Sequence, residues 1–147
     1  MNIYALSSGR GPAGIAIVRI SGKSTLKVCK NLTQLKEIKA NEVNYCKFYE
    51  PNSDNIIDPE ALMLWFPAPN SYTGDDLAEF HVHGSNAVIS ALLKILSEQD
   101  NCRLAEPGEF TKLAFQNDKL DLLKAESIGD LIHAETELQR EIGRAHV

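Results

Sequence analysis

Residues 67–84 read PAPNSYTGDDLAEFHVHG, and this stretch decides how the rest of the chain is arranged. Its first half is rich in proline, asparagine, serine and glycine, which favour turns, so we predict a loop. In its second half, residues 77–83, apolar and polar side chains alternate, as is typical of a β-strand. One face of that strand would be apolar. The other would carry a carboxylate beside two imidazoles, those of Glu79, His81 and His83.

Patterns elsewhere in the chain predict an α+β domain. Alternating or continuous apolar runs indicate strands at residues 3–7, 15–21, 43–49, 61–66, 77–83 and 102–105. Helical spacing of apolar residues indicates helices at residues 22–32, 85–99 and 109–115. Residues 51–59, PNSDNIIDP, are expected to form a turn region. This order of elements predicts a mixed, largely antiparallel sheet with flanking helices.

Composition limits the class of protein. The 147 residues are 44% hydrophobic, which suffices for the core of one ordinary domain. A net charge of −5 argues against a chain that binds nucleic acid by itself, because phosphate affinity needs clustered Lys and Arg. Three widely spaced cysteines without a CxxC motif indicate neither a disulfide framework nor a zinc site. No apolar run reaches the roughly twenty residues of a membrane span and no leader is visible, so we expect no membrane contact.

Three charged residues are the candidates for a binding site. Arg19 lies inside the apolar run IAIVRIS, where a charged side chain is unusual and requires an explanation. Either it reaches water or pairs with a carboxylate, or it receives an electron-rich atom of a ligand, and local sequence favours neither reading. Glu79 projects from a rigid strand, and Lys119 is a polar residue at a junction between elements. We therefore predict a pocket formed by these three residues.

Two other functions remain open from the residues alone. Glu79, His81 and His83 could bind a metal, since an HxH pattern on a strand puts two imidazoles on one side, although no further ligand is evident. A dimerising scaffold without a ligand is the second alternative. The glycines of residues 9–14 suit a tight turn better than a nucleotide loop, because a strand and not a helix follows them.

Three long segments carry a resemblance to a known family. They read IYALSSGRGPAGIAIVRISG at 3–22, LWFPAPNSYTGDDLAEFHVHG at 64–84 and EPGEFTKLAFQNDKLDLLKAESIGDLI at 106–132. Together they resemble the amino-terminal part of the MnmE/TrmE family of tRNA-modification GTPases. That resemblance implies a domain at 1–118 similar to the folate-binding domain of aminomethyltransferases, which dimerises. Residues 119–147 would begin a helical domain with its first helix.

The resemblance also implies a ligand and a set of site residues. It implies a 5-formyltetrahydrofolate-type one-carbon donor, with folate contacts that fall on Arg19, Glu79 and Lys119 and with no metal ligands. A carboxylate can accept two parallel hydrogen bonds from the amino-pyrimidinone edge of a pterin, and cations suit the carbonyl oxygens or the glutamate tail. His81 and His83 are then expected to be structural or to line the pocket.

The activity of the family needs parts that this sequence does not show. The resemblance implies GTP, Mg and K bound by a GTPase domain, a flavin-dependent partner of the MnmG/GidA type, and a tRNA whose wobble uridine is modified. The chain has no P-loop, so we expect it to be inactive alone and no catalytic residue is assigned. The expected location is the bacterial cytoplasm, or the mitochondrion for a eukaryotic source.

Overall fold

The computed structural model describes residues 1–8, 14–118 and 137, and this part of the chain contains six strands and three helices. The strands are β1 (Asn2–Leu6), β2 (Ile15–Ser21), β3 (Val43–Tyr49), β4 (Ile56–Phe66), β5 (Leu77–His83) and β6 (Cys102–Leu104). The helices are α1 (Thr25–Thr33), α2 (Asn86–Ser97) and α3 (Glu109–Gln116). Their order along the chain is β1-β2-α1-β3-β4-β5-α2-β6-α3.

The strands form one sheet in the order β3-β4-β5-β2-β1-β6. All neighbours are antiparallel except β1 and β6, which run parallel. The expectation of an α+β fold with a mixed, largely antiparallel sheet is confirmed. β5 lies in the middle of the sheet, so its polar face is held between two hydrogen-bonded neighbours, β2 and β4.

Helices α1 and α2 cover one face of the sheet. Their apolar stripes pack on the buried strand residues, and the helical part of this core is Val28, Cys29, Leu32, Ile89, Leu92, Ile95 and Leu96. Ala78, Phe80 and Val82 of β5 point into the same core, as the alternation predicts. The Ser85 hydroxyl caps α2 by accepting a hydrogen bond from the Val88 N–H at 3.2 Å, which starts the helix directly after the strand.

The described residues cover the opposite face of the sheet over only part of its area. There Phe110 of α3 packs with Ile3 and Ala5 of β1 in a second, smaller cluster. The polar side chains of β2 and β5 on this face are half-buried beside that cluster. The uncovered half of the face is therefore where the structure presents charged groups.

One expectation about the fold is wrong in part. The second half of residues 51–59 is not a turn, because β4 begins at Ile56 and continues through Asp58 and Pro59. The pairs Cys46–Ala61 and Phe48–Asp58 enclose a bulge in β4. Pro59 falls inside the bulge, where a residue without an N–H interrupts no ladder hydrogen bond.

The expected helical domain over residues 119–147 concerns a segment that, apart from the helical Glu137, lies outside the described residues. Among the helices that the structure does describe, none combines the length and the apolar character needed to cross a bilayer.

Candidate functional site

Arg19 and Glu79 stand directly opposite each other on neighbouring strands. The register of β2 and β5 pairs them, and Nη2 of Arg19 donates to Oε2 of Glu79 at 3.1 Å. Their side chains are 25% and 20% exposed, so the pair is largely removed from water but can still be reached from solvent. Of the readings open for Arg19, pairing with a carboxylate is the one the structure shows.

Two aromatic rings fix the Arg19 guanidinium. Its central carbon lies 5.3 Å from the centre of the Tyr72 ring and 5.7 Å from that of Phe110, distances at which a cation is attracted to the face of a ring. Nε of Arg19 is buried and has no hydrogen-bond partner among the described residues. A buried donor without an acceptor costs free energy, so Arg19 is held here at some cost.

The loop before β5 carries Tyr72 and is anchored from two sides. The buried Thr73 hydroxyl lies 2.7 Å from the Ser21 hydroxyl at the end of β2. The side-chain amide of Asn117 donates to the Thr73 carbonyl at 2.6 Å, and the Tyr72 hydroxyl lies 3.2 Å from that of Thr111. Since Thr111 and Asn117 belong to the start and the end cap of α3, the helix and the loop hold the ring over Arg19 together.

His81 completes the polar group on the β5 face. Its Nε2 lies 3.4 Å from Oε1 of Glu79, so each carboxylate oxygen has a separate neighbour. The hydrogen bond from His81 holds the pKa of Glu79 below its ordinary value, with Arg19 adding to the effect and burial opposing it. Glu79 is therefore a carboxylate at neutral pH.

His83 belongs to a different arrangement. Its ring Nδ1 lies 2.9 Å from Oδ1 of the fully buried Asp58, and its backbone N–H donates to Oδ2 at 2.8 Å. The Glu60 N–H also donates to Asp58, at 3.0 Å. Within the described part of the chain no group of three metal-ligating side chains is close enough to hold an ion, which speaks against a metal site at Glu79, His81 and His83.

The third expected contact, Lys119, lies outside the described residues. The last residues before it are Asn117, which is tied to the Thr73 carbonyl, and Asp118. Sequence patterns did not indicate the aromatic pair around Arg19, because Tyr72 lies in a polar loop and Phe110 fits a core position. No sequence pattern indicated that Asp58 is buried. Its burial depends on a β-bulge, and a segment that contains proline does not predict one.

A shallow groove of about 590 Å³ lies elsewhere, where β3 and β4 meet. Tyr45, Lys47, Glu60 and Leu62 are among the residues that line it. Neither Arg19 nor Glu79 lines this groove, although Leu62, which does, stands directly across from His81 on the same sheet face.

The charged groups suit binding more than covalent chemistry. A fixed carboxylate that has free lone pairs accepts hydrogen bonds from an N–H-rich edge, and a guanidinium N–H donates a hydrogen bond to an oxygen. The fold and the site define an α+β domain that presents a carboxylate and a guanidinium on a partly covered sheet.

The family model described as "GTP-binding protein TrmE N-terminus" matches residues 2–119, so the chain belongs to the TrmE N-terminal family. It is 60% identical over 141 residues to a "tRNA modification GTPase MnmE" of Pelagibacter ubique, and the match covers 96% of the chain and 32% of that relative. It is 49% identical over 138 residues to a protein with the same description from Zymomonas mobilis, covering 94% of the chain and 32% of the relative. The chain thus spans about a third of the length of these relatives.

Proposed function

We propose that this chain is the folate-binding, dimerising amino-terminal part of a tRNA-modification GTPase. Family membership and the relatives described as tRNA modification GTPases support this reading. The observation that supports folate as the ligand is the half-buried pair of Arg19 and Glu79. A folate has a pterin edge with paired N–H donors next to a carbonyl oxygen, which such a pair can bind.

Each of the three site residues has a role in this proposal. Glu79 accepts the two parallel hydrogen bonds of the amino-pyrimidinone edge. Arg19 holds Glu79 through Nη2, and the positive charge of its guanidinium suits a ligand oxygen. Lys119 supplies a second cation for a carbonyl or the glutamate tail. When bound, a 5-formyltetrahydrofolate-type ligand supplies a one-carbon unit.

Dimerisation has its own support in the structure. β3 is an edge strand, and it exposes Tyr45 and Val43, at 81% and 46%, on the same face as the half-buried Leu62 and Leu64 of β4. Apolar side chains that are contiguous on a sheet edge favour association, because burial removes them from water. A second copy of the chain is the partner we propose for this edge.

The remaining roles belong to the whole protein. The relatives' description supports GTP hydrolysis and tRNA modification, and the finer roles come from the family resemblance. Together these roles are GTP hydrolysis with Mg and K in a separate domain, work with a flavin-dependent MnmG/GidA-type partner, and modification of the wobble uridine of a tRNA. A location in the bacterial cytoplasm fits the bacterial source of the relatives. We also propose the domain division at 118 and 119, which the family resemblance implies and near which the matched family model ends.

The ligand proposal is tested by titrating the purified chain with 5-formyltetrahydrofolate by isothermal calorimetry. We expect saturable binding that weakens at least about tenfold in Glu79→Gln, because a charge-assisted hydrogen bond contributes about 1.5–3 kcal/mol. Glu60→Gln is the matched control, since Glu60 is an exposed acid on the neighbouring strand and its variant should bind as the parent does.

Two outcomes would contradict the ligand proposal. Absence of binding in the parent would reject the folate, and equal affinity in the parent and Glu79→Gln would reject the site. Light scattering on the same samples separates the scaffold alternative, which requires a dimer that binds no folate.

A further inference from the structure

We infer that His81 is a positioning residue that fixes the plane of the Glu79 carboxylate for its ligand. The inference rests on the proposed function, since the ligand is the folate proposed above. His81 has no assigned role in binding, and what points to one is its place on the strand: two residues after Glu79, on the same face, with its ring turned back toward the acid.

The carboxylate of Glu79 is held from both sides. Arg19 donates to Oε2 from the neighbouring strand, at 3.1 Å. His81 lies 3.4 Å from Oε1 and donates to it when Nε2 carries the proton. With one donor at each oxygen the carboxylate cannot rotate freely about its last bond. Each oxygen has further lone-pair sites, which remain available to a second donor.

A bidentate ligand gains from this restraint. Two parallel N–H groups of a ligand can bind both carboxylate oxygens only when the carboxylate lies in the plane of those N–H groups. A carboxylate that rotates freely would lose this rotational freedom on binding, which lowers affinity. Arg19 alone restrains one oxygen. His81 supplies the second restraint before the ligand arrives.

Among the described residues, the hydrogen-bond partner of the His81 ring is Glu79. Directly across from His81 stand Ile17 on β2 and Leu62 on β4, both apolar. The groups that face Glu79 itself are Arg19 from β2, the apolar Leu64 from β4, and the Tyr72 ring over Arg19 from the loop. The hydrogen bond from His81 is the largest single cause of the lowered pKa of Glu79, which agrees with the geometry.

The test compares His81→Leu, His81→Gln and the parent with two measurements. The first is the pKa of Glu79 from the ¹³C chemical shift of its carboxyl carbon, without ligand. The second is the affinity for 5-formyltetrahydrofolate. We expect His81→Leu to raise the pKa of Glu79 and to weaken binding about three- to tenfold, the effect of one lost hydrogen bond. His81→Gln, whose amide can donate, should restore most of both.

His83→Leu is the matched control. His83 lies on the same strand face but bonds Asp58, so this variant should leave the pKa of Glu79 and the affinity as in the parent. Urea unfolding shows that each variant is folded before it is compared.

The outcomes separate the two proposals. An unchanged pKa of Glu79 in His81→Leu overturns the inference, and so does an equal loss of affinity in His83→Leu. A raised pKa of Glu79 without folate binding by the parent supports the restraint on the carboxylate and rejects the folate. Folate binding that depends on Glu79 but not on His81 rejects the inference alone.

Discussion

Arg19 and Glu79 are coupled because each is only partly hydrated. With 25% and 20% of their side chains exposed, removing either partner leaves a charge with little water around it. Tyr72 and Phe110 reinforce the effect by occupying the space where water would otherwise reach the guanidinium. Glu79 therefore links the stability of the domain to pH.

The sign of that link follows from the lowered pKa of Glu79. A carboxyl with a pKa below its ordinary value of 4.5 stabilises the folded state above that pH, and the contribution disappears as pH falls through the folded-state pKa. We expect the unfolding free energy of the parent to exceed that of Glu79→Gln at about pH 7. The gap should narrow toward about pH 3.5.

Urea unfolding at the two pH values measures this gap. Glu60→Gln, in which an exposed acid is changed, controls for the loss of one negative charge. A gap between the parent and Glu79→Gln that stays constant with pH would mean that the Glu79 carboxylate contributes no ionic stabilisation.

At the scale of elements, the two ends of β5 are fixed by side chains and not by the sheet ladder alone. At the carboxyl end of β5, the last residue pair between β4 and β5 is Leu62–His81. The bulge in β4 prevents a further pair at His83. The Asp58 carboxylate replaces it by accepting the backbone N–H of His83. At the near end, the loop before Leu77 is tied to β2 and to the end of α3 through Thr73.

Asp58→Asn should reduce the unfolding free energy by about 2–4 kcal/mol, because an amide group would face backbone N–H donors in a fully buried place. Urea denaturation measures the effect. Asp54→Asn, in the exposed turn before β4, should change stability by less than about 0.5 kcal/mol. A similarly small effect at Asp58 would show that the carboxylate does not hold the end of β5.

Gly74→Ala should destabilise the loop beside the candidate site. Gly74 has φ +85°, and an added Cβ would lie 2.7 Å from Cβ of Asn117. Gly14→Ala is the matched control, since Gly14 has φ +72° with open space around it and would show backbone strain alone. We expect a loss of about 1 kcal/mol for Gly14→Ala and about 2–3 kcal/mol for Gly74→Ala in thermal unfolding. Equal losses would exclude close contact between the loop and the end of α3.

At the scale of the molecule, the sheet has two different edges. β6 has three residues, whereas β3 has seven and exposes Tyr45 and Val43. We expect Tyr45→Glu to convert the proposed dimer to a monomer in light scattering, because a charge would be buried in the contact. Leu104→Glu, a change at an exposed apolar residue of the opposite edge, should leave the dimer intact. Dissociation by both variants would argue against a contact specific to β3.

The sequence alone determined the elements. Alternation in residues 77–83 and apolar runs elsewhere predicted six strands and three helices in the right order, because periodicity depends on which side chains must be buried. It also singled out Arg19 and Glu79, since a charge within an apolar run has few explanations. The predicted start of β4 was wrong because the strand continues through a bulge that tolerates Pro59. Local propensity does not predict bulges.

Only the tertiary structure decided which charges meet. Arg19 and Glu79 are 60 residues apart, and the register of β2 against β5 makes them neighbours. The pairing of β4 with β5 and the bulge in β4 bring Asp58 to His83, whereas His81 meets Glu79 within β5 itself. The physical reason is that a strand fixes the side of the sheet on which a residue lies through its own sequence, whereas the partner across the strand is set by pairing between distant segments.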